Sequence, residues 1–409
     1  MDEVDLVLDK TSKTKPVVCL ATGRELIDRS WVHQDAKILT SMGLKVTYAT
    51  IGSPLPTPSA LSSLIGQLKC IVKSHIIFGW FAYPTTLFIG KAFGKTTVLN
   101  AVGWEVALYS DFDFGLPSWW YARALVRIAL RNADYVIAIS RESARWARTW
   151  GAKHVVVIYE GISTSKFRPI ARRPSHKQQI VLTTAYLSET NVIRKDFATL
   201  LLAMKRVLHA LPDVKIVIVG EKMDGYPRLV KTAQELGIAH AIAFRGFLDS
   251  NEYSKTLREA SVFVMPSLHE GFPTVLCEAL LCEVPVVTTD RATMNEVFTN
   301  GEDALLVEAR NSEELAEAII TVLNKKEVAS RIARNGRRLV EQNYSTEVRV
   351  EKLQQLLEEI LADEVGSKRP IRSRMIWLVT FVSLSLVTPL VMIMHRLLRT
   401  FYQGSHAGT

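Results

Sequence analysis

SVFVMPSLHEGFPTVLCEALLCEVPVVTTD, from Ser261 to Asp290, is the stretch on which the fold is decided. A Val- and Phe-rich run ends at Met265, a turn fills Pro266 to Phe272, and Pro273 stands at a first-turn position, where a helix accepts proline. VPVVTTD then resumes as an apolar run. Strand, turn, helix and strand with no polar alternation mean strands buried on both faces, hence a parallel α/β sheet. The helix N-terminus turns its free N–H groups toward the preceding turn, a ready site for a diphosphate. Two carboxylates beside such a site, Glu270 in the turn and Glu278 in the helix, look paradoxical until they are read as acceptors of hydroxyl protons. One carboxylate can take both hydroxyls of a ribose, and a second can hold a sugar.

Working outward, the same rhythm fills the chain. The first half offers PVVCLAT, LKVTYATIG, KSHIIF, KTTVLN, DYVIAIS and HVVVIYEG; the second offers QQIVLTTAYL, VKIVIVG and AIAF before the opening stretch. FRPIARRPSHKQ between them is basic and punctuated by proline, a linker by composition. The expected organisation is an N-terminal tail over 1–15, a first doubly wound domain over 16–168, a linker over 169–178, and a second domain over 179–345. Two such domains facing across a cleft would place ligands at the carboxyl ends of both sheets. Residues 346–365 read as an amphipathic helix packing on the body, with Leu353, Leu356, Leu357, Ile360 and Leu361 on one face. A further apolar run from His75 to Gly90 contains Pro84 and reads as a strand and loop.

At 409 residues, 48% hydrophobic and 22% charged, the composition excludes disorder and low-complexity scaffolds. Cys19, Cys70, Cys277 and Cys282 lack CxxC spacing and read as reduced thiols rather than disulfides or a zinc site. MDEVDLVLDK has no apolar core, so a chain starting in the cytosol is expected. The net charge of +9 suggests nucleic acid only until it is located. After Glu364 there are six basic residues and no acidic one, which leaves 44 basic against 41 acidic before it. That excess flanks MIWLVTFVSLSLVTPLVMIM, residues 375–394, twenty residues without a charge. At about 1.5 Å per residue it is about 30 Å long as a helix, the thickness of a hydrocarbon core, so a single-pass transmembrane helix is expected. Four of the six basic residues precede it, favouring a cytoplasmic body.

No GxGxxG and no GxxxxGK followed by Ser or Thr occurs, and no Ser sits in a GxSxG elbow. What does occur is Glu270 and Glu278 with seven residues between, within HEGFPTVLCEAL. This resembles the E-x7-E motif of retaining family 4 glycosyltransferases. YEGISTSKFRP, YLSETNVIRKDFATLLLAM, KIVIVGE and AVGWEV are similar to further landmarks of that family, in the same order. Any one alone also fits a surface turn; the series does not.

The resemblance implies the α/β GT-B fold, two Rossmann-like domains facing across a cleft, and transfer of a hexose from a nucleotide-sugar with retention of configuration. It implies that Glu278 holds the donor ribose and Glu270 hydroxyls of the transferred sugar. Arg194 and Lys195 would neutralise the diphosphate in place of a metal, so no cofactor is expected. Gly220, Gly246 and Phe247 would wall the nucleobase and phosphates, and Gly271, Phe272, Pro273 and Thr274 would line the sugar. Gly23, Gly103, Trp104 and Glu105 would form the acceptor side. The expected partners are a nucleotide-sugar donor, a lipid-linked or glycan acceptor and membrane lipids, with no nucleic acid. Departures from the pattern are Val102 where His is common, Tyr186 where Arg is common, and Asp196 and Glu283 where Gly is usual. Val102 and Glu283 keep open one alternative, an inactive relative serving as membrane scaffold or partner subunit. The enzyme rival is a sugar-nucleotide epimerase, against which the apolar tail and the E-x7-E helix argue. Asp111 and Asp113 form a DxD, read here as an acidic loop. Arg123, Arg127 and Arg131, then Arg141, Arg145 and Arg148, form helical stripes beside tryptophans that fit either a solvated face or a bilayer surface.

Overall fold

The computed structural model describes residues 16–22, 30–51, 55–108, 115, 119–170, 178–364 and 371–405. The chain divides into two compact units, Met1–Ile158 with Lys352–Thr409, and Tyr159–Glu351.

In the first unit strands and helices alternate: β1 (Val17–Ala21), α1 (Ser30–Ser41), β2 (Lys45–Ala49), α2 (Pro58–Lys73), β3 (Ile76–Trp80), α3 (Pro84–Ala92), β4 (Thr96–Ala101), α4 (Trp120–Asn132), β5 (Tyr135–Ala138), α5 (Arg141–Thr149) and β6 (Val155–Val157). The six strands are parallel in the order β2-β1-β3-β4-β5-β6. Local chemistry sets the helix starts. Thr57 accepts the Ala60 N–H ahead of Pro58, and Ser140 accepts that of Ser143. The run from His75 to Gly90 is a strand followed by a helix, not a strand and loop. Pro84 sits in the first turn, where its missing N–H costs nothing, so it starts α3 instead of breaking it.

The second unit runs β7 (Ile180–Thr184), α6 (Glu189–Arg194), α7 (Phe197–Ala210), β8 (Lys215–Val219), α8 (Tyr226–Glu235), β9 (Ile242–Gly246), α9 (Ser250–Glu259), β10 (Val262–Met265), α10 (Thr274–Leu281), β11 (Val286–Thr289), α11 (Ala292–Val297), β12 (Leu305–Val307), α12 (Ser312–Asn324) and α13 (Lys326–Asn343). Its strands are parallel in the order β12-β11-β10-β7-β8-β9. Each apolar run read from the sequence forms a strand. β12, three residues long, is too short to carry a pattern. The core strands β10 and β11 are buried throughout. Inside them Thr288 and Thr289 donate their hydroxyls to Met265 O and Ser267 O, so no polar cost is left on the buried face.

Helix α14 (Thr346–Glu364) buries Leu353, Leu356, Leu357 and Ile360, and α15 (Ile371–Ser405) follows. Within α15, Ser373–His395 is long and apolar enough to cross a membrane. It packs in the first unit against α3 and α2.

Candidate active site

In the second unit the chain leaves β7 toward β8 and β9, then returns to place β10 on the other side of β7. The loops after β7 and β10 therefore diverge, which opens a crevice at the carboxyl ends of these two strands. The residues singled out from the sequence gather there. Glu270, in the loop after β10, receives three donors on one oxygen, Oε1: Arg194 Nη1 at 2.9 Å, Lys195 Nζ at 3.3 Å and Ser267 Oγ at 2.8 Å. Its second oxygen takes part in none of these three contacts. Arg194 is held in turn, donating to His269 O at 2.8 Å and to Asn191 Oδ1 at 3.1 Å. Thr293 Oγ1 donates to Glu270 O at 2.8 Å, which fixes the loop from α11.

Two cations against one carboxylate leave the cluster net positive. Burial alone would raise the Glu270 carboxyl, but Arg194 and Lys195 overcome it and hold the group down at about 2. Burial lowers the Lys195 ammonium, and Glu270 opposes that shift. Burial also pushes the His269 imidazole down to about 4, so it is neutral at pH 7 and adds no charge.

Glu278 sits just over one turn into α10. Burial pushes its carboxyl up to about 7, against the opposing pull of Lys166 and of the Tyr253 hydroxyl. Tyr253 Oη is buried and approaches Glu278 without meeting hydrogen-bond geometry. Lys166 lies over the Phe167 ring, and Phe167 meets Tyr253 edge-on. Neither Tyr253 nor Lys166 was singled out from sequence. Lys166 stands in the quoted YEGISTSKFRP segment, whereas nothing local marks Tyr253 on α9. Ser267, His269 and Thr293, which hold the Glu270 loop, were likewise missed: Thr293 lies 23 residues from Glu270 and Arg194 lies 75 from His269, and Ser267, three residues from Glu270, has no motif to mark it.

The remaining donor-side positions separate by local geometry. Gly220 has φ 145°, and a Cβ there would lie 1.7 Å from Ala185 O, so only glycine fits this approach of two loops. Gly246, at φ 70°, ends β9, and Phe247 beyond it is 68% exposed. A large apolar ring so exposed at the carboxyl edge of the sheet is available for stacking. Phe272 instead is buried against Tyr159 and Tyr344, at ring distances of 5.7 and 5.3 Å. Half-buried Gly271 and buried Pro273 complete that turn. The Thr274 N–H turns back to Phe272 O at 2.9 Å and is thereby occupied.

Two departures in the sequence have a backbone explanation. Asp196 and Glu283 are both at positive φ, 46° and 55°, where glycine is at ease. Each has a compensating contact: Asp196 caps α7 by accepting from Thr199, and Glu283 pairs with Arg337 at 3.1 Å.

In the first unit, Gly103 has φ 130° and opens the loop after β4. Trp104 lies against Phe81 and Tyr83 from the loop after β3. Glu105 is fully buried, its Oε1 accepting the Val102 N–H at 2.5 Å and the Ala82 N–H at 3.5 Å. Val102 thus shapes the loop through its backbone. Burial pushes the Glu105 carboxyl up to about 7 despite these donors. Gly23, Asp111 and Asp113 lie outside the described residues. Among the described residues, no three His, Cys, Asp or Glu side chains gather so as to hold a metal ion.

Comparison with known proteins bears on this geometry. Residues 18–166 match the family described as Glycosyltransferase Family 4, and residues 172–339 match Glycosyl transferases group 1. The fold is that of sucrose-phosphate synthase from Thermosynechococcus elongatus, with a TM-score of 0.72 over 86% of this chain and 100% of that chain, at 19% identity. The chain belongs to the GT-B glycosyltransferases. Among curated relatives, this glycosyltransferase is 26% identical over 238 residues to a phosphatidyl-myo-inositol mannosyltransferase of Mycobacterium leprae, covering 58% of this chain and 62% of that one. It is also 26% identical over 330 residues to a GDP-mannose-dependent monoacylated alpha-(1-6)-phosphatidylinositol monomannoside mannosyltransferase of Corynebacterium glutamicum, covering 74% of this chain and 81% of that one.

Proposed function

We propose that this glycosyltransferase moves a hexose from a nucleotide-diphosphate sugar to a lipid-linked or membrane-proximal glycan acceptor, with retention of configuration and without a metal. The observation that carries the reading is the convergence of Arg194 and Lys195 on Glu270 at the switch point of the second sheet. A net positive, preorganised cluster is what a departing diphosphate requires, and fixed cations supply the charge that a metal would otherwise bring. The free oxygen of Glu270 would accept sugar hydroxyls, and Glu278 those of the ribose. Glu270 is a weak nucleophile, because a carboxylate held near 2 has little basicity. A double displacement through it is therefore disfavoured. Instead the acceptor hydroxyl oxygen would bond to the anomeric carbon on the face from which the phosphate oxygen leaves. The hydroxyl proton would pass to that oxygen, through an oxocarbenium-like transition state.

Two named relatives act on phosphatidylinositol-based lipids, which supports a lipid-linked acceptor here. Nucleotide-sugars are cytosolic, so α15 would hold both units at the cytoplasmic face of a membrane. The test is turnover of a panel of nucleotide-sugars by membranes carrying the full chain, with and without EDTA. Lys195→Ala should lower kcat by about 10²–10³, the usual effect of removing one charge-stabilising donor. Glu278→Gln should raise the donor KM, and EDTA should leave the wild-type rate unchanged. Mg²⁺-reversible loss in EDTA would overturn the metal-free reading. Equal turnover by Lys195→Ala would overturn the assignment of the site.

A further inference from the structure

Helix α15 is docked along the whole of its apolar stretch. At one end, Arg374 lies against Gly94, where an added Cβ would come within 2.4 Å of Arg374 Nε. In the middle, Trp377 meets the Phe88 ring at 5.9 Å, and Phe381 is fully buried in the core of the first unit. At the other end, His395 meets Tyr121 at 5.8 Å and Trp119 at 6.5 Å. Over 21 residues, about 31 Å at 1.5 Å per residue, one face of the helix therefore lies on the domain.

The helix it covers requires the cover. In α3, PTTLFIGKA, every residue from Pro84 to Lys91 is buried, including Thr85 and Thr86. A helix in the outer layer of a doubly wound domain ordinarily has a polar side. α3 has none, because β4 takes one side and α15 the other.

The opposite face of α15 has the polarity of a lipid contact. Met375, Ile376, Val379, Leu386, Leu390 and Ile393 are exposed, with Leu386 at 63% and Leu390 at 68%. The hydroxyls of Ser385 and Thr388 point inward, bonded to Phe381 O and Leu384 O. Apart from exposed Ser383 and half-buried Thr380, hydroxyls lie inside and aliphatic side chains outside, which reverses the order of a water-facing helix. Basic residues without an acidic one flank this face in the sequence, matching anionic headgroups.

We propose that α15 lies in the plane of one leaflet of an anionic bilayer, bound on one side to α3 and on the other to acyl chains, and does not cross. A crossing helix docked in this way would carry its domain into hydrocarbon. The neighbouring α4 exposes Arg123 and Arg127, and α2 exposes Lys69 and Lys73; such charges are excluded from the bilayer interior. Undocking to cross would uncover the apolar outer side of α3. The in-plane arrangement satisfies both faces, and it keeps the residues before and after the helix on one side. It rests on the membrane attachment proposed above and not on the transfer reaction.

The experiment places single bimane-labelled cysteines at Val379, Leu386 and Ile393 in a Cys70→Ser background. Full-length protein is bound to vesicles of phosphatidylcholine and phosphatidylglycerol, and quenching by lipids brominated at different depths gives the depth of each label. These exposed positions do not pack on the domain, so labelling leaves the fold intact. The proposal expects the three labels at one shallow depth, and a cysteine at Ser405 open to a membrane-impermeant maleimide from the protein's side. Depths graded over about 21 Å between 379 and 393 would establish a crossing helix and overturn it. Labels beyond the reach of brominated lipid, with protein bound or unbound, would show the face covered by a second copy and overturn it also. Failure to bind vesicles at all would defeat the attachment itself, whereas lost transfer activity with shallow labels would leave this inference standing.

Discussion

Glu270 and Glu278 lie eight positions apart in sequence yet are shifted in opposite directions, so their pH signatures differ in sign. Glu270 is held near 2, below its ordinary 4.5, and it contributes stability above pH 4.5 that is lost as pH falls toward 2. Glu270→Gln should therefore cost on the order of 2 kcal/mol at pH 7, a difference that shrinks as the pH approaches 2–3 in denaturant titrations. A cost independent of pH would show that the ion pairs are not its source. Glu278 is raised to about 7, so its ionisation opposes folding, an effect that grows from pH 4.5 and is complete above 7. Glu278→Gln should unfold at higher denaturant than wild type at pH 8.5 and at the same denaturant at pH 4, while binding donor more weakly. Equal midpoints at pH 8.5 would contradict the burial argument. The pair itself was legible in sequence because the two residues share one turn and helix. The Tyr253 and Lys166 neighbours that tune Glu278 were not, since they arrive from α9 and from a turn more than a hundred residues upstream.

At the scale of elements, strands buried on both faces announce themselves, and helix caps such as Thr57 and Ser140 can be read locally. What could not be read is which apolar helix covers which. α3 and α15 are separated by nearly three hundred residues, and each looked self-sufficient: one as strand and loop, the other as a span in lipid. Their partnership makes a prediction that an anchor alone would not. Phe381→Ala should lower the stability of the first unit by about 3–5 kcal/mol, the range for a buried aromatic truncated in a core. Leu386→Ala, on the exposed face, should leave it unchanged within about 0.5 kcal/mol. Hydrogen exchange of β3 and β4 amides in detergent reads both effects. Equal protection in the two variants would mean that α15 is not part of the domain core.

For the whole molecule, two parallel sheets of six strands each supply a switch point, and the second gathers one carboxylate and two cations there. The apolar helix packs within the first unit and, in the reading proposed above, would bring it to a bilayer surface, where a lipid-borne acceptor would be locally concentrated. In the proposed reading the donor chemistry resides on the second unit, where the motif near residue 270 marks it, whereas the resemblance names only Gly23 and a loop, Gly103 to Glu105, for the acceptor side and leaves the acceptor's identity unread. The most direct test is mass spectrometry of lipids extracted from membranes that contain the full chain and have been incubated with a panel of nucleotide-sugars in EDTA, with Lys195→Ala in parallel. The account predicts a lipid that gains one hexose with wild type and falls about 10²–10³-fold with the variant. Release of nucleoside diphosphate with no glycosylated lipid, or the same lipid product from both proteins, would contradict it.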